Sequence, residues 1–470
     1  MKRTCVILTF FLLFAGGGFF LQGDESPRFI LKKLTPRIQL LRDTQNGGAQ
    51  LGIISENGII LLDSFSSMPT AQNYRHAWEK ALQRKDFAYV LNTVDRLDIF
   101  GGNAVFKGIP IVGHKVFYQK FTPAAVEAEI SRLIEMWRWK EDVSRKRQAT
   151  HKPGSEEAKG ELAWTAFCKR RAEELEGGFK LRLPDITYSD RMALHLKDLT
   201  VELLALGHAG FDGISIVVVP EEKTAVIHGF ILHSQHLAPH PQERYAKLDV
   251  PRWIRLLEEL TAEKGRVDKY IVDTRYLWSR ERVQSHLRYI KILWNRVQEL
   301  EAAGENLEAI QERLSLEKEF AFVKEMHPYK DHGDDWIRPQ HRAHIWNFYV
   351  QHKKLAARLI QKLLTDHDAE AAIRLVREKA KQHKKIYFDE RTLYSLGYWL
   401  MTTNKIAAAL AVFRLNTEMY PDSANTWDSL GEAWMKKGDS AQAVQCYKKV
   451  LQLDPKNENA RKMLKKLAKK

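Results

Sequence analysis

Cysteine is scarce: the 470 residues hold only three. Cys5 lies at the extreme start, and Cys168 and Cys446 stand far apart in helix-like surroundings. A disulfide-stapled scaffold is therefore excluded, and stability has to come from apolar cores. Several common chemical signatures are missing as well. The chain has no G-x-S-x-G nucleophile elbow, no phosphate-binding P-loop and no H-E-x-x-H zinc helix. Beyond the first residues no stretch is apolar enough to cross a bilayer, and low complexity is confined to the lysine-rich end.

What is present begins with a leader-like segment. Lys2 and Arg3 precede the apolar run Val6 to Phe14, and acidic residues start only at Asp24. That order matches a secretory signal, residues 1–23, with cleavage expected near Gly23 and an uncleaved anchor as the alternative. The expectation is an exported protein, periplasmic or extracellular, without a stable membrane span once the leader is gone. A formal charge of +15 permits anionic partners. Its Lys and Arg are spread along Glu-rich helices, with short clusters such as Arg145-Lys146-Arg147 and Lys465 to Lys470. This pattern favours solvation and weak attraction to an anionic envelope surface over nucleic acid, which is not expected as a partner.

The length calls for more than one domain. Gln50 to Ile54 and Gly58 to Leu62 flank the turn Glu56-Asn57-Gly58, a hairpin signal. A helix-like segment, Ala71 to Arg84, leads to the apolar runs Phe87 to Leu91 and Pro110 to Val112. Val126, Ile130, Leu133 and Ile134 then recur at helical spacing, in a charged segment broken at His151-Lys152-Pro153-Gly154-Ser155. Strands return between Ile186 and Leu232, and helices are expected to dominate from Val250 onward.

The C-terminus compared with itself repeats at 34 residues. Leu396-Gly397 recurs as Leu430-Gly431, Ala409 as Ala443, Phe413 as Tyr447, and Pro421 as Pro455. With Trp427 and Trp434, this resembles the tetratricopeptide repeat: small residues let two helices approach, aromatics fill the groove, and proline ends the second helix. Ala460 to Leu467 is expected as the capping helix, and an upstream pair at about 345–385 as the completion of the stack. The resemblance implies contact with a protein partner. A rigid appendage is the plainer reading.

Residues 48–112 and 184–290 resemble the metallo-β-lactamase superfamily. Gly58 to Asp63 looks like the strand ending in aspartate. The run Thr93-Val94-Asp95-Arg96-Leu97-Asp98-Ile99-Phe100-Gly101-Gly102 keeps register with the family's T-H-x-H-x-D-H-x-G-G. The three histidines of that motif are replaced by Val94, Arg96 and Ile99. Val94 and Ile99 have no lone pair to donate, and arginine repels a cation. Of the later ligand positions His208 survives, Phe230 stands where a bridging aspartate is expected, and Arg275 replaces the last histidine. Asp98 and His208 alone do not make a binuclear zinc site. Other histidines, His228, His233, His236 and His240, then His327, His332, His341 and His344 beside Asp331, Asp334 and Asp335, show no recognised ligand spacing.

The expected fold is α+β. An αββα sandwich of the metallo-β-lactamase type covers residues 24–300, with a helical insertion at about 122–180. A helical connector, 301–388, and an all-α tetratricopeptide-repeat domain, 389–470, follow. The resemblance implies a pseudoenzyme without catalytic residues, metal or cofactor, acting by binding a protein or a small anionic ligand. The alternative is a metal-dependent hydrolase of that superfamily with a rearranged or single-metal site, which would need zinc. Arg96 either joins an anion-binding pocket or pairs with Asp98 and plugs a dead site.

Overall fold

The computed structural model describes residues 28–45, 47–207, 212–227, 249–262, 267–272, 276–325, 334–351, 354–382 and 386–468. The leader-like segment, His208, Phe230 and Arg275 lie outside the described residues, as do six of the eight clustered histidines, all but His341 and His344. The chain divides into two compact units. One holds described residues 28–227 with Leu256–Val283, and the other holds those from Gln284 onward with 249–255.

The first unit opens as a meander of β1 (Phe29–Lys33), β2 (Ile38–Asp43), β3 (Ala49–Ser55) and β4 (Gly58–Leu62). Helix α1 (Met68–Leu82) carries the chain over to β5 (Phe87–Asn92), which pairs parallel with β4. After the short α2 (Leu97–Phe100) come β6 (Ile111–His114), α3 (Val116–Lys120), α4 (Pro123–Gln148), α5 (Glu156–Glu176) and β7 (Ile186–Tyr188). The seven strands form one sheet in sequence order. A second sheet contains β8 (Arg191–His195), β9 (Thr200–Ala205), β10 (Ser215–Val219) and β11 (Thr224–Ile227). Past α6 (Val250–Thr261) it is completed by β12 (Lys269–Val272) and β13 (Tyr276–Ser279), in the order β13-β12-β11-β10-β9-β8.

Alternation along the strands explains the layering. Ile38, Leu40, Leu51, Ile53, Ile60, Leu62 and Leu91 of the first sheet share one core with Val201, Leu203, Val217, Val219 and Ile271 of the second. The intervening residues Leu41, Ile59, Leu61, Val90 and Ile111 face outward and pack on Ala71, Tyr74, Ala77 and Trp78 of α1. On the far side, Leu256, Leu257 and Leu260 of α6 are buried, and the Tyr270 hydroxyl donates to the Leu260 carbonyl at 2.5 Å. The layers are therefore helix, sheet, sheet, helix, the expected αββα sandwich. Helices dominate from Val250 as expected, and between α6 and α7 the strands β12 and β13 pair antiparallel.

Between β6 and β7 the helices α4 and α5 form an antiparallel hairpin. Thr122 caps α4 through Ala125 N, with Pro123 at its first position, and Ser155 caps α5 through Ala158 N. Val126, Leu133 and Leu175 pack with Leu97 and Phe100, which seats the hairpin on the α2 turn.

The second unit is helical: α7 (Arg280–Ala302, shared across the boundary), α8 (Leu307–Arg313) and α9 (Asp334–Tyr349). The two-residue strand β14 (Lys354–Leu355) precedes α10 (Ala356–Leu363) and α11 (Ala369–Gln382), and pairs with β15 (Ile386–Tyr387). The repeats follow as α12 (Glu390–Thr402) with α13 (Ile406–Met419), α14 (Ala424–Lys437) with α15 (Ser440–Leu453), and the cap α16 (Glu458–Leu467). Leu396, Ala409, Phe413, Leu430, Ala443 and Tyr447 share one core, to which α10 and α11 add Ala357, Ile360, Ala372 and Val376. Gly397 is required there, since a Cβ would stand 2.4 Å from the Phe413 ring.

Candidate functional site

Strand β5 ends at Asn92, and the next ten residues form the turn that would carry metal ligands in the resembling family. Thr93 fixes its start: its N–H donates to Asp63 Oδ1 at 2.8 Å and its hydroxyl lies 2.7 Å from Oδ2. Asp63 holds the left-handed region at φ 62°, and Phe65 does so at 65°. This loop is stitched to the turn by Ser64 N to the Ile99 carbonyl and Gly102 N to the Phe65 carbonyl, both 3.0 Å. Gly102 has to be glycine, because a Cβ would lie 2.1 Å from the Ser64 carbonyl oxygen. Burial pushes the Asp63 carboxyl up to about 7, against the lowering effect of both Thr93 bonds.

Val94 is fully buried, an apolar plug where an imidazole is expected, and Ile99 is half-buried. Arg96 turns its fork onto Asp98: Nε donates to Oδ1 at 2.9 Å, and Nη2 bonds to Oδ2. Both carboxylate oxygens are thereby engaged by a guanidinium, the bidentate geometry that such pairs favour. Asp95, not singled out from the sequence, is buried and takes 2.8 Å from Lys120 Nζ and 3.0 Å from the Gly213 N–H. Of the described ligand positions Val94, Arg96, Asp98 and Ile99, Asp98 alone carries a metal donor, and its carboxylate already holds the Arg96 guanidinium. No group of three or more His, Cys, Asp or Glu that could hold a metal comes together among the described residues.

His341 and His344 are core residues of the second unit. Their Nδ1 atoms lie 2.9 and 2.8 Å from the Tyr289 hydroxyl, and His341 Nε2 is 2.6 Å from the Leu314 carbonyl. Burial lowers the His341 pKa to about 4.

The α4–α5 hairpin brings a second group of side chains towards the turn. Trp137 joins the apolar cluster around Leu97 and Phe100. It also stands against Trp164 and Phe167, with ring centroids 6.4 and 5.7 Å away. Lys140 Nζ lies 4.3 Å from the Trp137 centroid, and the Arg171 guanidinium 5.7 Å. Arg171 is held 3.3 Å from Glu174, whose carboxylate also takes the Ser67 hydroxyl at 2.6 Å. Burial holds both Lys140 and Arg171 below their ordinary ranges. Helical periodicity gave the apolar stripe of α4, Val126, Ile130, Leu133 and Ile134, but not which neighbours it would meet.

In the repeats, Trp427 Nε1 donates to the Pro421 carbonyl at 2.8 Å. The first helices of successive units are linked by Tyr398 to Glu432 at 2.6 Å and by Asn459 to Asp428 at 2.9 Å.

The tetratricopeptide repeat family matches residues 424–457. No curated protein matches the sequence. Similar solved structures include the stereoselective inverting sec-alkylsulfatase Pisa1 from Pseudomonas sp., at 14% identity and a TM-score of 0.47, covering 93% of this chain and 61% of that one. A double mutant of the same enzyme gives 15%, a TM-score of 0.48 and the same coverage. A metallo-beta-lactamase from Pontibacter korlensis gives 12% and 0.35, over 56% of this chain and 99% of that one. The chain thus spans 61% of the length of the alkylsulfatases it matches.

Proposed function

We propose that the protein is an exported pseudoenzyme: a metallo-β-lactamase-type sandwich that has exchanged metal chemistry for binding, joined to repeats that engage a protein partner. The observation that carries this reading is the Arg96 fork on Asp98, with Val94 buried beside it. A fixed guanidinium at this turn neutralises the carboxylate and repels a metal ion, and no group of three or more potential metal ligands comes together among the described residues. The stacked helices support the protein-binding half, since repeats of this kind build extended surfaces. Lys2, Arg3 and the apolar run after them support export.

Elemental analysis of the full-length protein, purified without chelator, tests the central claim. The expected zinc content is far below one ion per chain, and the intact mass should show a start near Asp24. One or two tightly held transition-metal ions per chain would restore the hydrolase reading.

A further inference from the structure

Residues 436–470 concentrate the charge of the molecule. They hold eleven Lys and Arg against Asp439, Asp454 and Glu458, a net +8 of the chain's +15, so the remainder of the chain shares only +7. Helical geometry brings these cations to the surface together. In α16, Ala460 is buried and Met463, Leu464 and Leu467 pack on the repeat core. Arg461, Lys462, Lys465 and Lys466 are left exposed along the opposite side. Lys448 of α15, Lys456 of the connection, and Lys436 and Lys437 of α14 are exposed as well. Gly438 and Asp439 join α14 to α15, and Asp454 to Asn457 join α15 to α16. Connections so short turn each helix back along the one before. The last turns of α14 and α16, with Lys436, Lys437, Lys465 and Lys466, therefore lie at one end of the stack.

The acidic residues of this stretch are engaged elsewhere. Asp439 caps α15 through Gln442 N at 3.0 Å, Asp454 accepts from Lys456 N at 3.1 Å, and Glu458 sits in the first turn of α16. Lys448, Lys456, Lys462, Lys465 and Lys466 have no acidic partner among the described residues. Favourable placement at helix C-termini accounts for the lysines in the last turns of α14 and α16. It does not account for Lys448, Lys456 and Lys462, and a capping helix that needed only solubility would mix both signs.

We propose that this basic face docks on the surface of a bilayer rich in anionic phospholipid. Lysine is a compact, hydrated point charge suited to diffuse attraction, whereas nucleic-acid surfaces draw on arginine forks and aromatic rings. The single arginine here, Arg461, already donates to the Pro455 carbonyl, and the one aromatic residue after Lys436, Tyr447, is buried. Met463, Leu464 and Leu467 are committed to the repeat core, so the contact is peripheral and electrostatic, without insertion. Nothing in this contact depends on whether the first unit holds a metal.

The test is co-sedimentation of the full-length protein with vesicles of phosphatidylcholine alone and with phosphatidylglycerol added. Binding should be far stronger on the anionic vesicles at about 0.1 M salt, and that gain should vanish near 1 M, where the Debye length falls to about 3 Å. Each lysine close to such a surface is worth about fivefold in partitioning, so Lys448→Gln combined with Lys462→Gln should weaken binding about tenfold or more. Neither residue lies in a last helical turn and glutamine is a good helix former, so the repeats should melt unchanged. Lys107→Gln combined with Lys115→Gln removes the same charge from exposed positions of the first unit and should leave binding as it was. No gain from phosphatidylglycerol, or equal losses in the two pairs, overturns the proposal, as does tighter binding to a DNA duplex at the same salt.

Discussion

Asp63 shows how much a single side chain depends on its surroundings. Buried and bonded to Thr93 in either protonation state, its carboxyl titrates near 7 when folded, against an ordinary value of 3.8. A folded pKa above the unfolded one contributes stability at low pH that is lost as pH rises through the folded value. Asp63→Asn keeps both contacts, since the amide oxygen accepts from Thr93 N and the amide nitrogen reaches its hydroxyl. Asparagine also tolerates the left-handed backbone. Urea unfolding should find the two proteins alike at pH 4 and the variant more stable at pH 8, by up to about 4 kcal/mol for a three-unit shift. An identical difference at both pH values would refute the assignment. The sequence displayed Asp63 at a strand end but not its burial. The Arg96–Asp98 pair was legible two residues apart, and so were the ligand replacements Val94 and Ile99. Lys140, Arg171 and Trp137 were not, because they reach the turn only through the tertiary docking of the α4–α5 hairpin.

At the scale of elements, the repeats were the most legible part, since a 34-residue period puts the same small and aromatic residues at the same contacts. Strands β12 and β13 were the least legible: four residues each, the one largely buried and the other at the sheet edge, with helical periodicity on both sides. Even so, equivalent repeat positions are not equally tight. A Cβ at Gly397 would meet the Phe413 ring at 2.4 Å, whereas one at Gly431 would meet the Tyr447 ring at 3.1 Å. Alanine gains about 1 kcal/mol over glycine in a helix interior. Overpacking costs roughly 1–3 kcal/mol where the neighbour cannot yield. Gly397→Ala should therefore destabilise the repeats clearly, and Gly431→Ala should be close to neutral in thermal melts. Equal losses in the two variants would show that the Phe413 ring moves aside freely.

Across the whole molecule, the two units carry opposed responses to acid. In the first, Asp63 loses its penalty as pH falls below 7. In the second, His341 stays neutral in the core down to about 4 while the unfolded chain charges from about 6.5. A depressed folded pKa gives stability that is present above the unfolded value and lost as pH falls towards the folded one. Between pH 7.5 and 5 the His341 term removes roughly 2 kcal/mol from its unit, and the Asp63 term adds about as much to the other. Hydrogen exchange, corrected for intrinsic rates, reads the two separately because local opening reports the surrounding cooperative unit. Amides of α9, which carries His341, should lose protection by about thirtyfold at pH 5, while those of β4 and β5 hold or gain. His341 would then be part of an acid-sensitive core. Protection of α9 that is unchanged at pH 5, with β4 and β5 loosening first, would reverse this order and show that His341 takes up its proton without opening the core.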